Sequence, residues 1–256
     1  MNFMTTIIKN ILRKLNIIII KVNDIPIITS LKSEFAHSER SFVYNGIKHL
    51  VDSLDFEASP GVAENIILEL EKINNKDSKE LKLINLGSGS GQASDIYRQL
   101  GFDVYSLDLR TDGLDDRNAH FDLNENKELP FSDQKFDAVI CQEVIEHIEN
   151  PWKLFRHAKQ LLKPDGVFIV STPNVLSLYS RILFLITGHY HWFQPKDYSY
   201  HINPIPAWEM GLIANKIGFN RKSIVGNGDY FMNRKENNEK RIIRRNEILI
   251  MTYTSK

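Results

Sequence analysis

The sequence predicts an α/β fold in which a mostly parallel sheet carries helices on both faces, and three observations lead to it. Apolar strand-like runs alternate with amphipathic runs of helical period from Leu81 onward. A glycine-rich loop separates the first of those strands from its helix, and an acid closes the second strand. Strands joined through helices need right-handed crossovers, which make neighbouring strands parallel.

Composition bounds the possibilities before any motif is read. The 256 residues are 42% hydrophobic and 25% charged, which is ordinary for one large soluble domain or two small ones. Lys and Arg number 32 against 32 Asp and Glu, so no global field draws in nucleic acid, and a nucleic-acid partner is not expected. The single cysteine, Cys141, has no disulfide partner in the chain, and no Cys/His spacing reads as a zinc site. A reducing, cytoplasmic setting follows from that.

The first 22 residues hold four basic side chains, Lys9, Arg13, Lys14 and Lys21, and no acid. The apolar run Ile17 to Ile20 is too short to span a bilayer, and no cleavage signal stands before Asp24. Ile7, Ile8, Ile11, Leu15, Ile18 and Val22 share one face at helical spacing, so Met1 to Val22 reads as a basic amphipathic helix. Such a helix suits peripheral contact with an anionic membrane, while packing on its own domain is the plainer expectation.

From Ser30 to about Lys79 the pattern reads as helical, with VAENIILELEKI from Val62 to Ile73 clearest and Ser59-Pro60-Gly61 a break before it. Residues 1–80 are therefore expected to form an N-terminal helical cap, with Asn74 to Glu80 as a polar linker into a domain over 81–256. Within that domain the expected elements are a strand at Leu81 to Leu86, a helix at Gln92 to Leu100 and a strand at Asp103 to Leu107. A strand at Phe136 to Cys141, a helix at Trp152 to Leu162 and a strand at Val167 to Ser171 follow. Arg221 to Val225 and Glu247 to Tyr253 are weaker strand candidates.

Asn85-Leu86-Gly87-Ser88-Gly89-Ser90-Gly91 sits between strand and helix, the context in which a glycine loop brings backbone N–H groups against a ligand. Asp108 ends the next strand, 17 residues beyond Gly91. A carboxylate there accepts hydrogen bonds from both hydroxyls of a ribose. Loop, helix and acid together point to a Rossmann-like site for an adenosine-type ligand.

The G-x-G-x-G spacing resembles the class I S-adenosylmethionine-dependent methyltransferases more than the dinucleotide enzymes. Three later stretches match that family in order: Phe121-Asp122-Leu123, LPFSDQKFDAVICQEVIEHI from Leu129 to Ile148, and LLKPDGVFIVSTPN from Leu161 to Asn174. The resemblance implies a mostly parallel seven-stranded sheet and S-adenosyl-L-methionine as co-substrate. It further implies that Gly87, Ser88, Gly89 and Gly91 surround the methionine moiety, that Asp108 with Leu109 binds the ribose, and that Asp122 with Leu123 reads the adenine edge. Gln142 and Glu143 would border the methyl-transfer site. Asn85 departs from the pattern, since many members carry Asp or Glu there; its amide is expected to hold the loop or reach the cofactor amine. For Asp122 the bland alternative is a turn or helix cap.

Methyl transfer from a sulfonium is an in-line displacement, so the protein must align three atoms and exclude water. A hydroxyl acceptor must also lose a proton, for which His147, His189, His191 and His201 are candidates, with Glu143 and His147 the expected catalytic pair. Glu143, Glu146 and His147 stand at i, i+3 and i+4, which on a helix would gather them for a divalent ion. This E-x-x-E-H pattern resembles the ubiquinone-pathway O-methyltransferases, whose corresponding residues are associated with a metal; capping and packing at a helix start is the favoured reading, and no metal is expected.

VLSLYSRILFLIT from Val175 to Thr187 is nearly apolar all round, yet shorter than the ~20 residues a membrane span needs. In the family an insertion here, about 175–210, shapes the acceptor pocket. Tyr190, Trp192, Phe193, Tyr198 and Tyr200 would stack on a quinone, a sugar or a lipid-linked group, or form a small aromatic core. RKENNEKRIIRR from Arg234 to Arg245 reads as a solvated loop or helix. The expected function is methylation, on oxygen, of a small or lipid-linked acceptor such as a cell-envelope saccharide or a quinone-like compound. A cofactor-sensing module without turnover and a nicotinamide-dependent oxidoreductase are the alternatives.

Overall fold

The computed structural model of the chain describes residues 40–44, 47–51, 59, 61–73, 81–110, 116–229 and 246–255. The helix expected at Met1 to Val22, the linker Asn74 to Glu80 and the charged stretch Arg234 to Arg245 lie outside them. Two compact units are present, Met1–Val43 with Lys48–Ser53, and Tyr44–Ile47 with Leu54–Lys256.

Strands β1 (Arg40–Tyr44) and β2 (Ile47–Val51) pair into a two-stranded sheet. This corrects the helical expectation over those residues. Phe42, Val43, Tyr44, Ile47 and Val51 are β-branched or aromatic, and the two runs flank Asn45-Gly46, the dipeptide most favourable to a two-residue hairpin connection.

The larger unit opens with α1 (Val62–Ile73), whose Val62, Ile66, Ile67 and Leu70 are buried. There follow β3 (Lys82–Leu86), α2 (Gln92–Gln99), β4 (Asp103–Asp108), β5 (Asn118–His120), β6 (Phe136–Gln142) and a 3₁₀ turn at Ile145–His147. Then come α3 (Pro151–Leu161), β7 (Leu162–Pro173), α4 (Leu178–Thr187), α5 (Ala207–Ile217), β8 (Phe219–Asp229) and β9 (Asn246–Ser255). The sheet has seven strands in the order β5-β4-β3-β6-β7-β9-β8. Pairs from β5 to β7 are parallel, whereas β9 runs antiparallel to both β7 and β8. The expected mostly parallel sheet is thus present, and the two weaker strand candidates form its antiparallel end.

The central strands are buried on both faces, which is why they read as continuous apolar runs. Ile84, Val139, Cys141, Phe168 and Val170 pack in one cluster with Leu154 and Phe155 of α3 and Met210 and Ile213 of α5. Local signals start and stop the helices: Asn150 Oδ1 accepts from Lys153 N at 3.2 Å ahead of Pro151, and Ser177 Oγ accepts from Ser180 N at 3.0 Å. Gly188, at φ 76°, closes α4 in the left-handed conformation.

α1 belongs to this unit and lies against β6, β8 and β9, so the division expected at residue 80 does not separate it from the sheet. Its Glu69 is 3% exposed, forms an ion pair with Lys72, and accepts from Ser223 Oγ and, at 2.9 Å, from Thr252 Oγ1. Glu69→Ala would leave both hydroxyls without their acceptor, and a loss of about 2 kcal/mol is expected. Urea denaturation checks this; a midpoint equal to that of the wild type would mean the network adds nothing.

Candidate active site

At the carboxyl ends of β3, β4 and β6 the chain encloses a cavity of about 900 Å³. This is where open α/β sheets bind ligands. Asn85, Gly87, Ser88 and Gly89 line it from the end of β3, Asp108 and Leu109 from the end of β4, and Gln142, Glu143 and His147 from the end of β6, with Asp122 and Leu123 also in the lining. Gly91 is not a lining residue. Its φ of 90° opens α2, and that backbone conformation is what calls for glycine there.

The loop is drawn against β4 by Gly87 N and Ser88 N, which donate to Leu107 O at 2.7 and 3.0 Å. Gly87 has φ 74°, and a Cβ on it would stand 2.4 Å from Val144 Cγ2. Gly87→Ala therefore combines left-handed strain with a clash against a branched side chain, and about 2–4 kcal/mol of stability is expected to be lost. Thermal melting checks this, with Val144→Ala restoring part of the loss by removing the clash while the strain stays.

Asp108 is 8% exposed and both its oxygens are held: Oδ2 accepts from Gly89 N at 2.7 Å and Oδ1 from Arg110 N at 2.7 Å. Asp122 Oδ1 accepts from Asn124 N at 2.8 Å while the residue also lines the cavity, so its turn-capping role and its place in the site coexist. Asn85 Nδ2 donates to Ser94 Oγ at 3.1 Å, and Ser106 Oγ donates to the same oxygen at 3.0 Å. That fixes the Asn85 amide with its oxygen unused. Asn85 Oδ1, Ser88 Oγ and Gln92 Oε1 are buried without a hydrogen-bond partner, and all three residues line the cavity. Two open amide oxygens and a hydroxyl fit a ligand rich in N–H and O–H donors, as S-adenosylmethionine is with its ammonium and ribose hydroxyls.

At the end of β6 the helical premise behind Glu143, Glu146 and His147 is corrected. Only a 3₁₀ turn spans Ile145–His147, and Glu143 sits before it at φ 50°, a strained conformation for this residue type. Its carboxylate accepts from both the N–H and the hydroxyl of Ser59. Burial raises the Glu143 pKa, while the two Ser59 bonds act in the opposite sense. Glu146 is buried, accepts from Thr172 Oγ1 at 3.1 Å, and is pushed well up by burial and then by the charge of Glu143. The carboxylate that joins His147 is Glu146 with His201 rather than with Glu143: single ligand atoms of Glu146, His147 and His201 lie within 4.8 Å of one another.

His147 Nδ1 stands 2.7 Å from Tyr200 O, and His201 Nδ1 approaches Trp192 O at 2.5 Å. A carbonyl oxygen only accepts, so both rings donate from Nδ1, which leaves Nε2 as the remaining ring nitrogen of each. Burial, first among several influences, holds the His147 pKa below its ordinary value and favours the neutral ring. The insertion is locked onto this turn by Ile202 N and Asn203 N, each 3.0 Å from Glu146 O. Of its aromatics, Trp192 and Tyr200 line the cavity. Tyr190 instead stacks on Phe184, Phe193 is buried against His201, and Tyr198 bonds His189. His191 packs between Tyr179 and Trp192, and neither it nor His189 reaches the lining. Ser59 and Arg110 are lining residues that sequence reasoning missed, Ser59 because it meets Glu143 across 84 residues of chain.

Residues 59–223 match the family model described as methyltransferase domain. The chain is 31% identical over 159 residues to the ubiquinone biosynthesis O-methyltransferase of Rickettsia bellii, covering 57% of this chain and 65% of that protein. It is 33% identical over 155 residues to the protein of the same name from Rickettsia conorii, covering 56% and 53%. The chain thus spans less than two thirds of the length of these two relatives. In fold it is similar to an S-adenosylmethionine-dependent methyltransferase from Clostridium acetobutylicum, with a TM-score of 0.51, 16% identity, and coverage of 76% of this chain and 90% of that one.

Proposed function

The chain belongs to the methyltransferase-domain family, and from that premise we propose that it transfers a methyl group from S-adenosyl-L-methionine to a hydroxyl oxygen of a small or lipid-linked acceptor. The observation that carries this reading is that one cavity joins the glycine loop and Asp108 to a neutral imidazole, His147, with a lone pair on Nε2. S-adenosyl-L-methionine, when bound, supplies an electrophilic methyl carbon on a sulfonium. Asp108 accepts from the ribose hydroxyls, Asp122 and the Leu123 backbone flank the adenine edge, and Asn85 Oδ1 accepts from the ammonium. His147 Nε2 takes the acceptor's hydroxyl proton as the O–C bond forms and the C–S bond breaks. Trp192 and Tyr200 wall the acceptor side and exclude water. Glu143 serves as a tie to Ser59 rather than as a base.

The relatives named as ubiquinone biosynthesis O-methyltransferases support a quinone-like ring as acceptor, and the aromatic wall suits a saccharide face equally. For a lipid-linked acceptor the support is α4, where Leu185 is 84% and Ile186 70% exposed. No helix among the described residues is long and apolar enough to cross a membrane, so that reading requires peripheral contact, through residues 1–22 or α4. Absence of co-sedimentation with anionic liposomes would remove it.

Isothermal titration of the full chain with S-adenosylmethionine and S-adenosylhomocysteine, followed by transfer of labelled methyl into a cell extract, tests the proposal. Binding with transfer is expected. Binding without transfer would favour a sensing module, and binding of a nicotinamide nucleotide alone an oxidoreductase.

A second reading is favoured by one observation: Glu146, His147 and His201 offer an oxygen and two imidazole nitrogens, each imidazole tethered through Nδ1 to a carbonyl as metal ligands commonly are. That donor set fits a divalent ion, which would polarise an acceptor oxygen. An imidazole that ligates through Nε2 does not also take a proton there, so chelation separates the readings. Undiminished methyl transfer after exhaustive EDTA treatment would leave His147 as the base.

A further inference from the structure

Gln142 ends β6, is 8% exposed, and lines the cavity. β3 and β6 pair in parallel with Asn85 opposite Ile140, so Gln142 stands two residues further along, at the level of Gly87 where the glycine loop begins. Its Oε1 is already taken: Tyr97 OH, from α2, donates to it at 3.1 Å. Tyr97 is 0% exposed, and burial followed by the Glu64 carboxylate pushes its pKa up, so the phenol keeps its proton and stays a donor. An amide whose oxygen is held in this way has only its NH₂ left to face the cavity.

The two amides at the loop are therefore fixed in opposite senses. Asn85 is held by its nitrogen and shows an oxygen; Gln142 is held by its oxygen and shows a nitrogen. Gln92 Oε1 is a second open amide oxygen in the same cavity lining, and the Ser88 hydroxyl, also open, can accept there as well as donate. A group carrying both an ammonium and a carboxylate meets both requirements, and the amino-acid end of the cofactor is such a group.

Resting on the methyltransferase reading, we infer that Tyr97 is a positioning residue: it orients the Gln142 amide so that its NH₂ donates to the α-carboxylate of the cofactor's amino-acid tail. Removing the phenol hydroxyl lets the amide rotate and present its oxygen, which repels a carboxylate. The consequence is selectivity for the tail, with the nucleoside untouched.

The test is titration of the full chain with S-adenosylhomocysteine and with 5′-methylthioadenosine, which keeps the nucleoside and thioether but lacks the amino-acid tail. Tyr97→Phe is expected to weaken the first by about tenfold and to leave the second within about twofold of wild type. Gln142→Leu is expected to give the same selective loss, with the double variant no worse than Gln142→Leu alone. Equal losses for both ligands, or none for either, would overturn the assignment, because a role confined to core packing does not tell the two ligands apart. Wild-type protein that binds neither ligand overturns the methyltransferase reading itself, a result distinct from the first.

Discussion

Asp108→Ala is expected to weaken S-adenosylhomocysteine binding at least about 100-fold, because two charge-assisted hydrogen bonds to a ribose, each worth about 1.5–3 kcal/mol, vanish together. The carboxylate does two things at once. Oδ2 holds Gly89 N at 2.7 Å, which sets the middle of the glycine loop, and Oδ1 holds Arg110 N at 2.7 Å, which sets the residue after Leu109. A ribose between loop and strand would then find the acceptor already oriented, with little reorganisation on binding. Asp108→Asn is the informative intermediate. Its amide keeps one acceptor oxygen but brings an NH₂ towards either Gly89 N–H or a hydroxyl, so about tenfold weakening is expected. Titration calorimetry on both variants, with thermal melting alongside, checks the claim. Affinity of Asp108→Ala within threefold of wild type would mean that the ribose does not lie here. The Arg110 guanidinium, also near Oδ1, is largely exposed and carries little of this effect.

The glycine-loop half of the cavity was legible in the sequence because it is local. Strand, glycine loop, helix and acid follow one another within about thirty residues, and each step has a geometric requirement that restricts residue type, such as the left-handed φ of Gly87. Gly91 belonged to that pattern for its backbone, yet the cavity wall does not include it. The acceptor half was legible only as a set of candidates. Which of four histidines would matter depended on how the insertion folds back, and that rests on contacts such as Ile202 N to Glu146 O that leave no periodic trace. The grouping of Glu143 with Glu146 and His147 assumed a helix, whereas Glu143 lies at the strand end and turns to Ser59 instead. In the fold, β5 is three residues long, too short for alternation to register, and α5 carries Gly211 in its middle, which lowers its helical signal. The pairing of β1 with β2 is signalled in the sequence by Asn45-Gly46 between two runs rich in β-branched and aromatic residues, a pattern of period two that a helical period does not detect.

His147→Gln is expected to lower kcat by roughly 10²–10⁴-fold, the usual contribution of a general base, while S-adenosylhomocysteine affinity stays within about twofold of wild type. The split follows from position. His147 sits on the turn after β6 rather than on the glycine loop, and its Nδ1 is committed to Tyr200 O, so Nε2 is the nitrogen left for chemistry. Glutamine is the right replacement because its NH₂ reaches the same carbonyl and keeps the insertion docked, whereas alanine would release it. His201→Gln makes the matching control. If the proton passes to His147 alone, the second substitution costs far less rate than the first. If the two imidazoles and Glu146 hold a divalent ion together, both substitutions lower the rate alike and both remove its sensitivity to EDTA. Either pattern locates the reaction at the wall formed by the 3₁₀ turn and the insertion. Full activity in His147→Gln would mean that the acceptor loses its proton without help from this ring, as an amine nitrogen that attacks through its free lone pair does.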